Sequence, residues 1–516
     1  MKKTLAAASF SALLAIVASS TSSGFANWNT KYWANEKNFN RISSFNVSDN
    51  LPEGSKSTTK TSSEVVTASE DGKTLMYTDS DLGVVGLVDI SDPAKPKALG
   101  VVELEAEPTG IAALGNNAYI GSNTSESYTN PSGALVQYNL ETRKAVKECD
   151  LGGQPDSVFV SPDGTFLAVA IENERDEEYK NGFIPQIDDN GIQINPAGYV
   201  SLVKLNKRGK IQCNSIKKVD LTGLSEIAPF DPEPEFVAIN DLGETVVSLQ
   251  ENNHLAVIDK DGNVISHFSA GVVKQMAGMD TKKDGAHKFK SKLKNVRREP
   301  DGLTWIDNDH FATANEGDYK HIDPNQAKRG GSRSWTIFKK DGTVVYEDAN
   351  RLERAIAQIG HFQDGRAGKK GVEPESVTYS KINGTPYLFV GAERAGIVAV
   401  YDITELNQPL LTQLLPSGIG PEGFVAIPER GLIASANEKD YNKKEPGLSS
   451  HVTIYQLQDA PASYPHLTNE NGLEFVSWGA ISGMVAGDDG KIYAVNDGTF
   501  KTQPRIYVID PSSSPA

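Results

Sequence analysis

The sequence predicts an all-β protein, a β-propeller of seven four-stranded blades, and two patterns carry this prediction. A short motif of Glu or Gln, then Pro, then Asp or Glu recurs along the chain and each time opens an apolar run. A second apolar run soon follows and ends on a carboxylate. Repeated units of short strands are stable only when they stack against copies of themselves. The motif copies are Gln154-Pro155-Asp156, Glu233-Pro234-Glu235, Glu299-Pro300-Asp301, Glu373-Pro374-Glu375 and Gly420-Pro421-Glu422, with a weaker copy at Glu107-Pro108-Thr109.

Each unit contains four apolar runs separated by turns, the pattern of one propeller blade. In the third unit the runs are 158–162, 165–170, 199–205 and 210–213, with an Asp163-Gly164 turn between the first two. The closest motif prolines, Pro108 and Pro155, are 47 residues apart, near the roughly 40–50 residues of a four-stranded blade. The unit starts that make seven blades lie near Glu64, Glu107, Gln154, Glu233, Glu299, Glu373 and Gly420.

The ends of the repeat region predict how the ring closes. The seventh unit lacks an outer strand after residue 457, whereas residues 39–47 form an apolar run with no unit of its own. We expect this N-terminal strand to complete the last blade, because closure hides both sheet edges. An open solenoid is the alternative. The propeller then spans residues 40–457 after an extension at 27–39, and residues 458–516 form a further β segment.

Residues 1–26 have the layout of a secretory signal peptide, with Lys2 and Lys3 before an apolar stretch and small residues up to Ala26. The apolar run is too short for a membrane anchor, the alternative interpretation. We therefore expect a secreted or periplasmic protein with no membrane span after cleavage. Its formal charge is −16, or −18 without the two signal lysines, which repels nucleic-acid phosphates and argues against such partners.

Two cysteines, Cys149 and Cys213, fall in runs that we interpret as outer strands of neighbouring units. An even pair in an oxidising compartment favours a disulfide. Two buried free thiols are the alternative, and the sequence leaves both open.

The two carboxylate series are predicted to meet at one end of the ring. The start of the first strand and the end of the second share a face, so the motif acids and the acids after the second runs crowd one rim. Carboxylate-rich clusters suit hard divalent cations, above all calcium. The alternative is that each acid only caps a turn. The candidate metal ligands are Glu172, Glu174, Asp176, Glu251, Glu316, Asp318, Glu393 and Glu438.

Basic residues cluster beside the same acids, in segments 287–298, 328–333 and 366–370. A rim of carboxylates and guanidinium groups suits a metal-bridged phosphate or another small anion. Salt bridges among solvated loops are the alternative interpretation. The candidate substrate-binding residues are Arg297, Arg298, Arg329, Arg333 and Arg394. No nucleophile elbow, zinc-protease, P-loop or dinucleotide motif occurs, so catalytic residues stay unassigned.

Several segments resemble the choice-of-anchor I domain, an exported bacterial propeller. The resemblance covers about residues 40–457 and rests on 298–303 with 311–318, 372–377 with 387–394, and 398–404. The tail, at 478–484 and 493–498, is similar to the start of a phytase-like, or esterase-like, domain. Proteins of this combination are often labelled alkaline phosphatase, and the resemblance identifies no catalytic residue.

Two functions follow as hypotheses. The first is a calcium-dependent phosphoesterase acting on phosphomonoesters, in which carboxylates such as Glu251, Glu316 and Glu393 hold the metal. Arginines 297, 329, 333 and 394 would then neutralise the departing phosphate. The second is a non-catalytic exported propeller that binds a cell-surface partner, since this fold hosts both kinds of protein.

Overall fold

The computed structural model describes residues 36–56, 58–176, 195–316, 331–441, 448–464, 467–469 and 476–512. Nearly all regular structure in these residues is β. Strand β1 (Asn38–Asn46) comes first and is followed by a four-stranded sheet, sheet 1, of β2 (Val66–Ala68), β3 (Thr74–Asp79), β4 (Val84–Asp89) and β5 (Lys97–Glu103). No helix among the described residues has the length and apolarity to cross a bilayer.

Three further four-stranded sheets follow in chain order, each built from consecutive strands in the order of the sequence. Sheet 2 contains β6 (Glu107–Leu114), β7 (Asn117–Asn123), β8 (Gly133–Asn139) and β9 (Lys144–Asp150). Sheet 3 contains β10 (Pro155–Val160), β11 (Phe166–Ile171), β12 (Tyr199–Lys204) and β13 (Lys217–Asp220). Sheet 4 contains β14 (Pro234–Ile239), β15 (Thr245–Leu249), β16 (His254–Ile258) and β17 (Val264–Ser269).

A two-stranded hairpin of β18 (Val272–Met279) and β19 (Ser291–Arg297) separates sheet 4 from sheet 5. Sheet 5 contains β20 (Pro300–Trp305), β21 (His310–Asn315), β22 (Ser334–Lys339) and β23 (Val344–Glu347), and helix α1 (Arg351–Gln358) follows. Sheet 6 contains β24 (Pro374–Ile382), β25 (Thr385–Ala392), β26 (Ile397–Asp402) and β27 (Leu410–Pro416). The last repeat supplies β28 (Pro421–Ile427), β29 (Leu432–Asn437) and β30 (His451–Gln458).

The N-terminal strand completes the last sheet, as predicted. β1 pairs antiparallel with β30, from Asn38 opposite Gln458 to Asn46 opposite His451, so sheet 7 has the order β1-β30-β29-β28. Each sheet's innermost strand contacts that of the next, and β28 contacts β2. An apolar cluster also fills every junction between consecutive sheets, including that between sheets 7 and 1. The ring is therefore closed, and the fold is a β-propeller.

The C-terminal β segment forms a separate three-stranded sheet of β31 (Ile481–Ala486), β32 (Ile492–Asn496) and β33 (Ile506–Ile509). The Trp478 indole donates to the Gln358 carbonyl at the end of α1, which ties this sheet to the propeller. The segment matches the predicted extra β element.

One strand prediction was wrong. Residues 210–213 do not form the outer strand of sheet 3: Ile211 makes an isolated bridge with Leu205, residues Cys213–Ser215 form a 3-10 turn, and the outer strand is β13. The apolar Ile211 is buried in the core between sheets 2 and 3, which explains why its hydrophobicity resembled that of a strand.

Cys149 on β9 and Cys213 form a disulfide that joins sheets 2 and 3. The bond closes a loop with a sequence separation of 64 residues. Such a closure restricts the unfolded chain, so replacing both cysteines by alanine is expected to lower the free energy of unfolding by about 2–4 kcal/mol. Urea denaturation of the oxidised wild type and the double variant measures this difference. Equal midpoints in the two proteins would contradict a stabilising disulfide.

Candidate metal site at the inner ring

The repeat places two series of acids at the same end of the propeller. In five sheets the motif proline pairs with the last residue of the second strand: Pro155 with Ile171, Pro234 with Leu249, Pro300 with Asn315, Pro374 with Ala392 and Pro421 with Asn437. The acids after both positions therefore share one end of each sheet. This register confirms the expectation that the two series meet at one rim.

A bulge follows the motif proline in each of these five sheets. The strand register shifts between the proline and the residues that resume pairing after it, so the motif acid lies within the irregularity. Bulges release a residue from the ladder and re-aim its side chain. The acids at the bulges are Asp156, Glu235, Asp301, Glu375 and Glu422.

Neighbouring inner strands approach closely at this level. A Cβ on Gly302 would lie 2.5 Å from the Glu375 carbonyl oxygen, and one on Gly110 would lie 2.6 Å from that of Asp156. Only glycine, which has no Cβ, therefore fits where these inner strands pack so closely. Gly423 packs in the same way on the backbone of Glu64, which gives sheet 1 an acid at the equivalent place. We call the seven equivalent residues the inner ring: Glu64, Thr109, Asp156, Glu235, Asp301, Glu375 and Glu422.

The inner-ring carboxylates raise one another's pKa values. Burial is the first cause, and the charges of neighbouring acids add to it, raising the pKa of Asp156 to about 7 and that of Glu422 to about 8. The same causes hold the pKa values of Glu235, Asp301 and Glu375 well above the usual range. Full ionisation of this ring would place several negative charges side by side, and bound protons or a bound cation relieve that repulsion.

Two groups of three carboxylates within the described residues lie close enough to hold one ion each. Glu316, Glu373 and Glu375 form the first group, and Glu375, Glu393 and Glu422 form the second. In each group the ligand oxygens lie within 4.8 Å of one another. Two oxygens bound to one calcium ion at about 2.3–2.6 Å lie at most about 5 Å apart, so these groups fit calcium. We call them triad A and triad B; Glu375 belongs to both.

Basic side chains lie against the triads. Lys370 pairs with Glu316, and Arg366 pairs with Glu373. The Arg394 guanidinium pairs with Glu373 and lies 2.6 Å from Glu393. Lys439 pairs with Glu438 and lies 3.7 Å from Glu393. The site therefore combines clustered carboxylates with several positively charged side chains.

The other predicted metal ligands that the structure describes lie outside the triads. Glu172 and Glu251 lie on the same rim, where their pKa values are raised by burial. The charge of Glu174 raises the pKa of Glu172 further. Asp176 ends the described part of this loop. Next to it, Arg175 is buried, 3.1 Å from Asp231 and paired with Glu233, so this loop is anchored by an internal ion pair. Glu438 lies near triad B, paired with Lys439.

Of the four predicted substrate-binding arginines that the structure describes, only Arg394 lies at the triads. Arg297 is buried, 3.8 Å from Glu299. Arg298 donates to Glu347 at 2.7 Å and to the Ala270 carbonyl. Arg333 is 1% exposed and contacts Glu353 and several carbonyl oxygens. Arg329 and the predicted metal ligand Asp318 lie outside the described residues.

Sequence reasoning missed three of the five triad carboxylates. Glu373, Glu375 and Glu422 were recognised as members of the recurring motif but were not assigned as ligands. The sequence did mark them as candidates, because each stands beside a motif proline. Their positions relative to Glu316 and Glu393 depend on how neighbouring sheets pack, which the motif spacing does not contain.

The family model described as the choice-of-anchor I domain matches residues 64–331 and 323–406. No curated protein matches the chain.

Solved structures that resemble the chain share little sequence with it. The WD40 repeats of RRP9 have 9% identity and a TM-score of 0.50, covering 77% of this chain and 95% of that one. Virginiamycin B lyase from Staphylococcus aureus has 11% identity and a TM-score of 0.46, covering 82% and 100%. Hydrazine synthase from Kuenenia stuttgartiensis has 16% identity and a TM-score of 0.47, covering 78% and 98%. Likeness at these identities bears on the fold alone.

Proposed function

The chain belongs to the choice-of-anchor I domain family of exported propellers, and we propose that it is a calcium-dependent phosphoesterase whose site is formed by triads A and B. The proposal rests on one observation. Triads A and B, each of three carboxylates, share Glu375 and are surrounded by the basic side chains of Arg366, Lys370, Arg394 and Lys439. Sites that hold two cations side by side and also carry basic groups suit phosphate esters.

The side chains have distinct roles in this proposal. Glu316 and Glu373 hold the ion of triad A, Glu393 and Glu422 hold that of triad B, and Glu375 contributes to both. Calcium bound there supplies Lewis-acid polarisation of a phosphoryl oxygen. The Arg394 guanidinium lies between the triads, against Glu373 and Glu393. It is placed to neutralise phosphate charge through paired N–H donors.

The proposal concerns these triads rather than the arginines buried elsewhere. Arg298 and Arg333 already donate to acceptors within the protein, and withdrawing them to bind substrate would leave buried partners unpaired. We therefore assign anion binding to Arg394 and Lys370.

The test uses the purified full chain with p-nitrophenyl phosphate and with phytate, in the presence of calcium or of EDTA. Turnover that requires calcium and is lost in Arg394→Ala supports the proposal. Calcium binding without turnover on either substrate would overturn the phosphoesterase and favour the non-catalytic exported binding propeller. Arg143→Ala, on an exposed turn of sheet 2, is the matched control.

A further inference from the structure

Two histidines face each other on the outer half of sheet 4, away from the triads. His254 begins β16 and His267 lies on the outer strand β17. In the strand register His254 is opposite Ser269, and His267 is opposite Ala256. The two histidines are therefore diagonal neighbours on one face of the sheet, close enough for their rings to meet. His254 Nε2 and His267 Nδ1 are 3.2 Å apart.

We propose that His254 and His267 form a zinc-binding site on sheet 4, independent of the calcium triads. Imidazole nitrogens suit zinc, copper and nickel, whereas calcium takes oxygen ligands, so this pair and the triads select different ions. Two protein ligands leave coordination positions for water or for an external ligand. His267 is exposed on the outer strand, so these positions face solvent.

The separation of the two nitrogens distinguishes among these metals. Two nitrogens at about 2.0–2.1 Å from one Zn²⁺ in tetrahedral geometry lie about 3.3–3.4 Å apart. Adjacent ligands of a square-planar Cu²⁺ or Ni²⁺ at similar bond lengths lie only about 2.8–3.0 Å apart. The observed 3.2 Å is closer to the tetrahedral value. A tetrahedral zinc ion therefore fits between the two nitrogens after a small movement of the rings.

The buried histidine is held ready to act as a ligand. His254 is 3% exposed, and its Nε2, the nitrogen that faces His267, is the proposed ligand atom. Its buried surroundings hold the His254 ring in place, and the exposed His267 supplies the second ligand.

Calorimetric titration of the full chain with zinc, in excess calcium to saturate the carboxylates, tests the proposal. We expect one zinc equivalent to bind, and His267→Ala to weaken that binding by at least about tenfold, since even indirect partners of a metal cost 10–100-fold. His267 is exposed, so this variant folds. Ile265→Ala, an exposed change on the same strand, is expected to bind zinc as the wild type does.

Cobalt provides a second measurement, because tetrahedral Co²⁺ absorbs visible light more strongly than octahedral Co²⁺. We expect the tetrahedral bands in the wild type and in Ile265→Ala, and their loss in His267→Ala. The proposal is overturned if zinc affinity is unchanged in His267→Ala. It is equally overturned if zinc binding disappears in His310→Ala, whose imidazole faces Asp307 on sheet 5. Absence of zinc binding by the wild type would show a plain hydrogen-bonded histidine pair.

Discussion

Replacing Glu375 by glutamine is expected to lower calcium affinity about a hundredfold or more. Glu375 is the carboxylate common to triads A and B, so its loss removes a charged ligand from both. The number of charged ligands is a main determinant of calcium affinity, and an amide oxygen replaces only part of a carboxylate's contribution. Isothermal titration with calcium measures the change, and calcium-induced stabilisation against heat gives an independent reading.

The matched control is Glu438→Gln. Glu438 follows the second strand of sheet 7 as Glu393 follows that of sheet 6, but it lies outside both triads. Its replacement is expected to change calcium affinity less than threefold. Glu316→Gln and Glu422→Gln each disturb one triad and should give intermediate losses. Equal effects of Glu375→Gln and Glu438→Gln would contradict a site centred on Glu375.

Replacing Arg333 by methionine is expected to destabilise the fold by about 3–5 kcal/mol, because it breaks a buried ion pair and leaves one charge alone. Arg333 Nη2 donates to Glu353 Oε1 at 3.2 Å, and Glu353 is fully buried. The guanidinium also donates to the Ala367 and Asp280 carbonyls. Urea denaturation measures the loss. Arg143→Met is the control, since Arg143 is exposed and shares the positive φ of Arg333.

The cost of Arg333→Met is expected to grow with pH. Burial raises the pKa of Glu353 to about 7, although Arg333 acts in the opposite direction. A raised pKa means that the folded state holds the proton more tightly than the unfolded chain, so stability from this group is greatest at low pH and is lost as pH rises through 7. Without Arg333, the ionised form of Glu353 is still less favourable in the folded protein. The double variant with Glu353→Gln should recover part of the loss at pH 8, and no recovery would contradict the pairing.

The fold follows closely from sequence because its signals are local and repeated. Apolar runs, turns and the proline motif define each sheet, and the apolar run at 39–47 with no repeat of its own was enough to predict that β1 completes sheet 7. The wrong outer strand at 210–213 shows the limit: Ile211 is apolar because it fills the core between sheets, not because it lies in a ladder. A short apolar run in the sequence can therefore come either from a buried turn or from a paired strand.

The rim itself was also determined by the sequence, since a strand's start and its hairpin partner's end share a face whatever the neighbouring sheets do. Which carboxylates approach to within 4.8 Å was decided by the tertiary structure, through the bulges and the glycine crossings that bring one sheet's acid beside the next. The same holds for the basic residues. Arg333 and Arg394 were both predicted to bind substrate, but the first is buried against Glu353 and the second lies against the triads. Charge is a property of a residue, whereas the distance to its partner is a property of the packing between sheets.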